Sequence, residues 1–153
     1  MTERHQIDEL VYRSCMLLDQ KDFNGFLALC DPTFHYAITA HSPEIRKDMI
    51  WLEHDKSGLK LLFDNLPKHN SDHSPLTRHA IVYTIEQEDG GKRARVTSAL
   101  TVYKTALDGG ITELFAVGKL LDRVTLDGER PMLVDRNVRL ETRMLGIGSH
   151  IPL

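Results

Sequence analysis

The first third of the chain carries a helical pattern of hydrophobic positions. Between residues 7 and 18, apolar or small residues recur at steps of three and four, which predicts one buried helix face. A second, shorter helix is predicted to begin at Asp22, whose carboxylate can accept hydrogen bonds from free backbone N–H groups, and to end at Pro32. The two predicted buried stripes consist of Ile7, Leu10, Val11, Ser14, Leu17 and Leu18, and of Phe23, Phe26, Leu27 and Cys30.

The next stretch mixes strand and helix signals. Bulky and lighter residues alternate over residues 34–38, which predicts a strand, and residues 41–44 have the composition of a turn. Residues 45–52 fit either a helix opened by Ser42 and Pro43 or the returning strand of a hairpin, and we favour the strand. A helix is predicted to begin at Asp55 and to end at Pro67, followed by a polar loop over residues 67–75.

From residue 78 onward the pattern predicts four long antiparallel strands, over residues 78–88, 93–107, 111–126 and 132–143. Asp-Gly turns separate them, and such turns supply the positive φ angles of tight hairpins. Strands of this length twist and curl, so helices packed in the concave face would give an α+β half-open cone close to the nuclear-transport-factor-2-like class. We expect a single cone-shaped domain over residues 1–153, because the sequence has no linker, repeat or low-complexity tract.

Composition narrows the class of protein. The net charge is −3 and the 19 basic residues form no cluster, so we expect neither a nucleic-acid partner nor a membrane partner. Apolar runs are far shorter than the roughly 20 residues that cross a bilayer. The polar start, MTERHQIDEL, does not resemble a secretory leader. Because the start does not resemble a leader and the sequence has only two cysteines, we expect a cytoplasmic protein with reduced thiols.

Histidines crowd the middle of the sequence, where metal binding has to be considered. His69 and His73 are four residues apart, a spacing that makes a metal pair only when both lie on a helix. The prolines on either side predict a loop, so we expect a solvated or subunit-contacting segment and no metal site. The residues concerned are His54, Asp55, His69, Asp72, His73 and His79.

The sequence also lacks the ligands of the common redox groups. Neither Cys15 nor Cys30 has a histidine at the Cys-x-His or Cys-x-x-His spacing of a Rieske cluster. No Gly-x-Gly-x-x-Gly fingerprint follows a predicted strand. We therefore expect no catalytic residue, bound cofactor or metal in this chain, and any nearby redox chemistry would belong to another chain.

An alternative is a stand-alone isomerase or dehydratase, because cone-shaped domains can hold a buried acid–base residue. That residue would point into the cavity, where apolar surroundings tune its pKa. The candidates are His35, Tyr36, Asp48, His79 and Asp135. Tyr36 alternates with Phe34 and Ile38, a pattern more typical of a core residue than of a catalyst.

Four stretches resemble the small, or β, subunit of aromatic-ring-hydroxylating dioxygenases: LLDQKDFNGFLALCDPTFHYAI, WLEHDKSGLKLLFDNLPKHNSDHSPLTRH, FAVGKLLDRV and DRNVRLETRMLGIGSHIPL. The Leu-Thr-Arg-His element at residues 76–79 and the run from Arg143 to His150 are the most specific parts. The resemblance implies a non-catalytic structural subunit of an α3β3 oxygenase for aromatic catabolism, with the Rieske [2Fe–2S] cluster and a mononuclear iron in the α subunit. The C-terminal run is similar to those of the benzoate, salicylate and sulfonate-oxidising branches.

Contacts with other subunits, including homotrimer contacts, are expected to fall on arginine-rich and apolar surfaces. Adjacent strand residues face opposite sides of a sheet, so the charges of the last two predicted strands need cross-strand partners or another chain. Arginine is enriched at interfaces because its fork binds carboxylates. The interface candidates are Trp51, Arg78, His79, Arg136, Arg139, Arg143 and His150. The apolar tail, residues 145–153, would pack on its own domain or against a neighbour.

Overall fold

Three α-helices pack against one curved six-stranded sheet in the computed structural model, which describes residues 3–44, 46–69, 73–142 and 153. The elements are α1 (Glu3–Asp19), α2 (Phe23–Ala28), β1 (Cys30–Ser42), β2 (Lys47–Asp55), α3 (Lys56–His69), β3 (Leu76–Glu88), β4 (Arg93–Thr105), β5 (Thr112–Thr125) and β6 (Met132–Leu140). A short 3-10 turn at Asp89–Gly91 joins β3 to β4. Within the described ranges, no helix has the length and apolar character needed to cross a membrane.

The sheet joins the predicted hairpin to the predicted meander. Its strand order is β2-β1-β6-β5-β4-β3. All neighbouring strands are antiparallel except β1 and β6, which run parallel and place Tyr36 opposite Arg136. The meander is therefore confirmed, and positive φ angles at Gly109 and Gly110 confirm the chemistry of the β4–β5 turn. The parallel pairing of β1 with β6 was not predicted.

The second helix begins where the sequence predicts, but it ends earlier. The side-chain Oδ1 of Asp22 accepts a hydrogen bond from the backbone N of Gly25 at 2.9 Å. The prediction that Pro32 ends this helix is wrong, since α2 stops at Ala28 and Pro32 lies inside β1. The β1–β6 register shifts between Cys30 and His35, so the ladder has a break there that tolerates a residue without an N–H.

Residues 47–55 form the strand that was favoured over a helix, and α3 follows directly. The Asp55 Oδ1 accepts from the backbone N of Gly58 at 2.7 Å, which caps α3 as predicted. Pro67 does not end α3, which continues to His69. One proline removes one backbone hydrogen bond, and near the helix end this loss is small enough for the last turn to persist.

One hydrophobic core fills the space between the helices and the concave face of the sheet. The Phe26 ring of α2 meets Phe34 of β1 and Phe63 of α3 edge-on, with ring centroids 6.2 and 6.4 Å apart. Because these three aromatic rings come from three different elements, they fix how α2 and α3 sit on the sheet. From α1, Ile7 and Val11 complete the same core.

Helix α1 covers one of the two sheet edges. It packs along β3, where the hydroxyl of Tyr12 accepts from the backbone N of Val82 at 3.3 Å. The carboxylate of Asp19 accepts from the backbone N of Arg78 at 3.1 Å. These bonds occupy N–H groups that an edge strand would otherwise present to solvent. The opposite edge is β2, which pairs only with β1 within the sheet.

Candidate functional site

A row of polar side chains crosses the concave face of the sheet. Tyr36 on β1, Arg136 on β6 and Asp122 on β5 stand at directly paired positions. The Arg136 guanidinium donates to both carboxylate oxygens, from Nε to Oδ1 at 2.8 Å and from Nη2 to Oδ2 at 2.9 Å. Arg136 is 1% exposed and Asp122 is 3% exposed. The two residues therefore form a buried, two-bonded ion pair at the centre of the cone.

Electrostatics fix the protonation of this interior. Burial alone would lower the pKa of Arg136, but the facing Asp122 carboxylate offsets this effect and raises the pKa above its ordinary value. Burial raises the pKa of Tyr36, raises that of Cys15, and raises the pKa of Cys30 to about 12. At neutral pH Arg136 is charged, the phenol of Tyr36 is neutral and both thiols are neutral. None of these groups is poised to exchange a proton at that pH.

The hydroxyl group of Tyr36 makes hydrogen bonds with the main chain of Leu153. Its hydroxyl accepts from the backbone N of Leu153 at 2.8 Å and donates to the backbone O of the same residue at 3.0 Å. Leu153 itself is 2% exposed and belongs to the core cluster. The hydroxyl thus serves as an anchor for Leu153 inside the cone.

The remaining acid–base candidates lie on the outer side of the sheet and are not brought together with Tyr36. His35, Asp48 and His79 are exposed, and Asp135 is half-buried. His35 lies between two carboxylates, with Nδ1 3.3 Å from Asp135 and Nε2 3.3 Å from Glu53. Among the buried residues that the structure describes there is no histidine, and the one carboxylate, that of Asp122, is held in an ion pair.

Arg78 faces its own chain, which differs from the expected contact with another subunit. It is 5% exposed, and its Nη1 donates to the Oδ1 of Asp19 at 2.8 Å. Asp19 is the last residue of α1, so Arg78 ties the end of α1 to the beginning of β3. The side chain points inward because this part of β3 packs against α1. Arg136 differs from expectation in the same way, because Asp122 holds it in the interior.

The outer face of the sheet has one polar half, over β6, β1 and β2. Arg139 donates from Nη2 to the Oδ1 of Asp48 at 2.9 Å and from Nη1 to the Oγ1 of Thr39 at 3.2 Å. The Nδ1 of His41 lies 3.2 Å from the same Asp48 oxygen. The hydrogen bond from Arg139, followed by that from His41, lowers the pKa of Asp48 to about 2. This network links three strands.

The central part of the outer face over β3, β4 and β5 is nearly uncharged. Ile81, Val117 and Leu121 are 59%, 37% and 38% exposed. The strand register places small side chains such as Ala99 and Thr101 between them. We call this surface the apolar half-face; it comprises Ile81, Thr97, Ala99, Thr101, Val117, Lys119 and Leu121. Exposed apolar patches of more than a few hundred Å² mark interaction sites on monomers.

Two of the interface candidates are exposed at the edges of the sheet. Trp51 is 42% exposed and is the extra residue of a bulge in β2, beside Ile50, which is 62% exposed. His79 is exposed on β3, with its ring centroid 5.3 Å from that of Tyr103. Arg139 is half-buried within the polar network. Arg143 and His150 lie outside the described residues.

The Asp122–Arg136 pair was missed by sequence reasoning, although a signal was present. The Asp-Gly turn at residues 127–130 joins β5 to β6, and counting outward from it pairs residue 124 with 133 and would set Asp122 opposite the like-charged Asp135. An extra residue in β6, Val134, shifts the register so that residue 122 pairs with 136 and residue 123 with 135. Two opposite-charge pairs on alternate faces follow from this register, and one of the two faces must be the buried one. The hydrophobic neighbours Leu120 and Val138 mark the face of Asp122 and Arg136 as that one.

The described residues include no group of three or more histidine, cysteine or carboxylate side chains that could hold a metal ion. Of the histidine-rich middle, His54 is half-buried and His73 is exposed. Asp72 and the side chain of His69 lie outside the described part of the chain.

Comparison with known proteins identifies relatives over nearly the full length. The family model for the ring hydroxylating beta subunit matches residues 13–146. The beta subunit of the methanesulfonate monooxygenase hydroxylase from Methylosulfonomonas methylovora is 42% identical, over 94% of this chain and 83% of that protein. The beta subunit of 2-aminobenzenesulfonate 2,3-dioxygenase from an Alcaligenes species is 33% identical, over 96% of this chain and 97% of that protein.

Solved structures confirm the fold class. A protein provisionally assigned as an aromatic-ring-hydroxylating dioxygenase beta subunit from Novosphingobium aromaticivorans superposes with a TM-score of 0.81 at 19% identity, covering 97% of this chain and 95% of that one. A provisionally assigned scytalone dehydratase from the same organism gives 0.66 at 13% identity, covering 92% and 85%. The α+β cone of the nuclear-transport-factor-2-like class is therefore confirmed.

Proposed function

The chain belongs to the ring hydroxylating beta subunit family, and from this premise we propose that it is the structural small subunit of a Rieske-type oxygenase that acts on an aromatic or sulfonated compound. It is the small subunit of an oxidoreductase and leaves the chemistry to a large subunit. Both curated relatives are named for sulfonates, so methanesulfonate and 2-aminobenzenesulfonate are the first substrates to test on the complex.

The observation that carries this proposal is that two titratable groups inside the cone are bonded within the chain. An acid–base enzyme on this fold needs a titratable group facing an open cavity. Here the interior carboxylate of Asp122 is bonded twice to Arg136, and the phenol of Tyr36 is bonded twice to Leu153. Because the Asp122 carboxylate and the Tyr36 phenol are both bonded within the chain, the contribution of the chain to an oxygenase is to hold other subunits in place.

The proposed assembly has three large and three small subunits, with the Rieske [2Fe–2S] cluster and the mononuclear iron in the large subunit. We assign subunit contacts to the surface candidates Trp51, His79 and Arg139, and to Arg143 and His150 in the C-terminal run. We also propose that residues 1–153 form one domain, since helices α1 to α3 and all six strands share one core. A cytoplasmic location is part of the proposal, supported by two free cysteine thiols.

Co-expression with a Rieske large subunit tests the function. The two chains are expected to co-purify as one complex with the mass of an α3β3 hexamer, iron–sulfur absorbance and hydroxylating activity. The chain purified alone is expected to show neither the absorbance nor the activity. Stoichiometric iron and sulfide in the isolated chain, or a large subunit that assembles and turns over equally well without it, would refute the proposal.

A further inference from the structure

Leu153 is held inside the cone in the way that a protein holds a small ligand. The residue is buried in the core cluster, and both of its main-chain polar groups bind one hydroxyl, that of Tyr36. The hydroxyl oxygen lies 2.8 Å from the Leu153 N and 3.0 Å from the Leu153 O. Small-molecule sites have this composition, with mostly apolar walls and a few placed polar groups that fix the orientation of the ligand.

Tyr36 forms the receiving side of this contact. It is fully buried on the inward face of β1, with its ring centroid 6.4 Å from that of Phe34. Burial raises the pKa of the phenol, so the hydroxyl keeps the proton that it donates. A hydroxyl donates one hydrogen bond and accepts others through its lone pairs. Tyr36 therefore suits a group that presents an N–H donor and an oxygen acceptor on neighbouring carbon atoms.

Several contacts that hold the cone together involve residues other than Leu153. Ring stacking joins α2 to α3, with the ring centroids of Phe23 and Phe63 4.3 Å apart. Strands β5 and β6 are joined by their ladder and by the buried Asp122–Arg136 pair. When a buried leucine is removed, the surrounding structure relaxes only partly. The departure of Leu153 is therefore expected to leave a space that the Tyr36 hydroxyl faces.

We propose that the interior of the cone is a binding site for an N-acylated branched aliphatic amino acid or its amide, and that Leu153 occupies this site as an intramolecular ligand. Such a molecule reproduces what Leu153 presents, namely an N–H, an oxygen on the neighbouring carbon and a branched aliphatic group. A ligand that is part of the same chain acts at an effective concentration that a free molecule must exceed to displace it. The site is separate from the structural role proposed above, since Tyr36 and Leu153 are buried and lie on no subunit-facing surface.

The test empties the site in the full chain and offers the ligand in solution. In Leu153→Asp, the charged side chain is costly to bury without a partner, so residue 153 is expected to leave the interior. The probes are N-acetyl-leucine and N-acetyl-leucinamide, which share the N–H, the oxygen and the isobutyl group and differ in charge. In calorimetric titration, at least one probe is expected to bind the variant about tenfold or more tightly than it binds the wild type. At about a hundred times its Kd, that probe is expected to raise the folding equilibrium constant of the variant about a hundredfold.

Matched variants and probes assign the binding to the Tyr36 site. Adding Tyr36→Phe to Leu153→Asp keeps the ring but removes both hydrogen bonds, and is expected to weaken probe binding about tenfold or more. N-acetyl-alanine and its amide lack most of the apolar group and are expected to bind Leu153→Asp about tenfold or more weakly than the leucine probes. Leu61→Asp places the same charge on α3, where Leu61 is 64% exposed, and is expected to behave as the wild type does.

Three results overturn the proposal. They are leucine probes that bind Leu153→Asp no more tightly than the wild type, probe affinity that is unchanged by Tyr36→Phe, and alanine probes that bind as well as the leucine probes. If Leu153→Asp does not fold even with a probe present, Leu153→Ala takes its place in the same titrations, because it weakens the hold on residue 153 without adding a charge. The same three results then decide.

Discussion

At the scale of single residues, the stability of the cone depends on both Asp122 and Arg136, because each is the partner of a buried charge. Arg136→Met leaves a buried carboxylate without its partner and is expected to lower the free energy of unfolding by about 3–5 kcal/mol. Replacing both residues, Asp122→Leu with Arg136→Met, is expected to recover most of that loss, because neither buried charge remains. Urea unfolding followed by circular dichroism at one protein concentration measures both differences.

The neighbouring pair on the opposite face supplies the control for this experiment. Arg123 is opposite Asp135 in the ladder, its Nε lies 3.6 Å from the Oε1 of Glu88, and its side chain is 45% exposed. Arg123→Met is therefore expected to change stability by no more than about 0.5 kcal/mol. A double variant of Asp122 and Arg136 as unstable as the single one would contradict the role of the buried charge.

The lowered pKa of Asp48, on the outer face, predicts a contribution to folding stability that depends on pH. Its folded pKa of about 2 lies below the ordinary value of 3.8, so the bonds from Arg139 and His41 stabilise the charged form. The stabilisation is complete above pH 3.8 and is lost as the pH falls toward 2. In Arg139→Gln, the Asp48 pKa is expected to move back toward 3.8, as read from a carbon NMR titration of its carboxyl group.

The same variant gives a second, thermodynamic readout. The stability difference between wild type and Arg139→Gln is expected to shrink as the pH falls from 3.8 to 2, because protonated Asp48 no longer distinguishes the two proteins. Asp48→Asn serves as a control, since it has no carboxylate to titrate. A difference that stays constant over this range would mean that Arg139 acts through packing.

At the scale of elements, Gly118 decides how closely β5 approaches β6. A Cβ built on Gly118 would lie 2.8 Å from the Cα of Leu140 and would overlap the carbonyl oxygen of Arg139. Gly118→Ala is expected to push the end of β6 away and to cost about 1–3 kcal/mol of stability. Gly128, in the β5–β6 turn, is a matched control, because its Cβ would meet only the oxygen of Arg130 at 3.8 Å. If Gly118→Ala and Gly128→Ala unfold alike, the close approach is not what requires glycine.

Local elements were largely predictable from the sequence, whereas their long-range pairing was not. Carboxylate caps such as Asp22 and Asp55 act within three residues, and Asp-Gly turns set the register of the strand residues next to the turn, up to the first bulge. The parallel pairing of β1 with β6 joins residues about a hundred positions apart, and no local pattern specifies it. That pairing brings Tyr36 beside Arg136. The helix ends were misjudged at Pro32 and Pro67 because proline was treated as an absolute stop.

The interface candidates also show that the sequence does not reveal which face of the sheet a strand residue occupies. The sequence marks Arg78, Arg136 and Arg139 as equivalent arginines on strands, yet two of them face the interior and one faces outward. Strand alternation assigns a face only after the register and the bulges are known, and β2, β3, β5 and β6 each carry an extra residue at a register shift. The outward apolar residues of β5 were not singled out from the sequence, because exposed and buried apolar positions look alike until the strand is paired.

At the scale of the whole molecule, replacing His79 distinguishes the structural-subunit hypothesis from the alternative of a stand-alone enzyme. It lies on the outer face against Tyr103, so His79→Ala is expected to weaken assembly while turnover per assembled complex stays near the wild-type value. Gel filtration and product formation, measured on the same preparation with the large subunit, give both quantities. An intact complex without activity would instead assign His79 a part in the chemistry.

Because α1 covers β3, it also limits how this chain can aggregate when it is produced without its partner. Fibril growth by strand addition requires two unpaired strand edges on every molecule, because each added molecule must leave an unpaired edge for the next one. Tyr12 and Asp19 occupy N–H groups along β3, which leaves β2 as the bare edge among the described strands. When two copies pair through their β2 strands, neither copy has an exposed strand edge left among its described strands. Overproduction of this chain without its partner is thus expected to stall at a dead-end pair and not to propagate into fibrils.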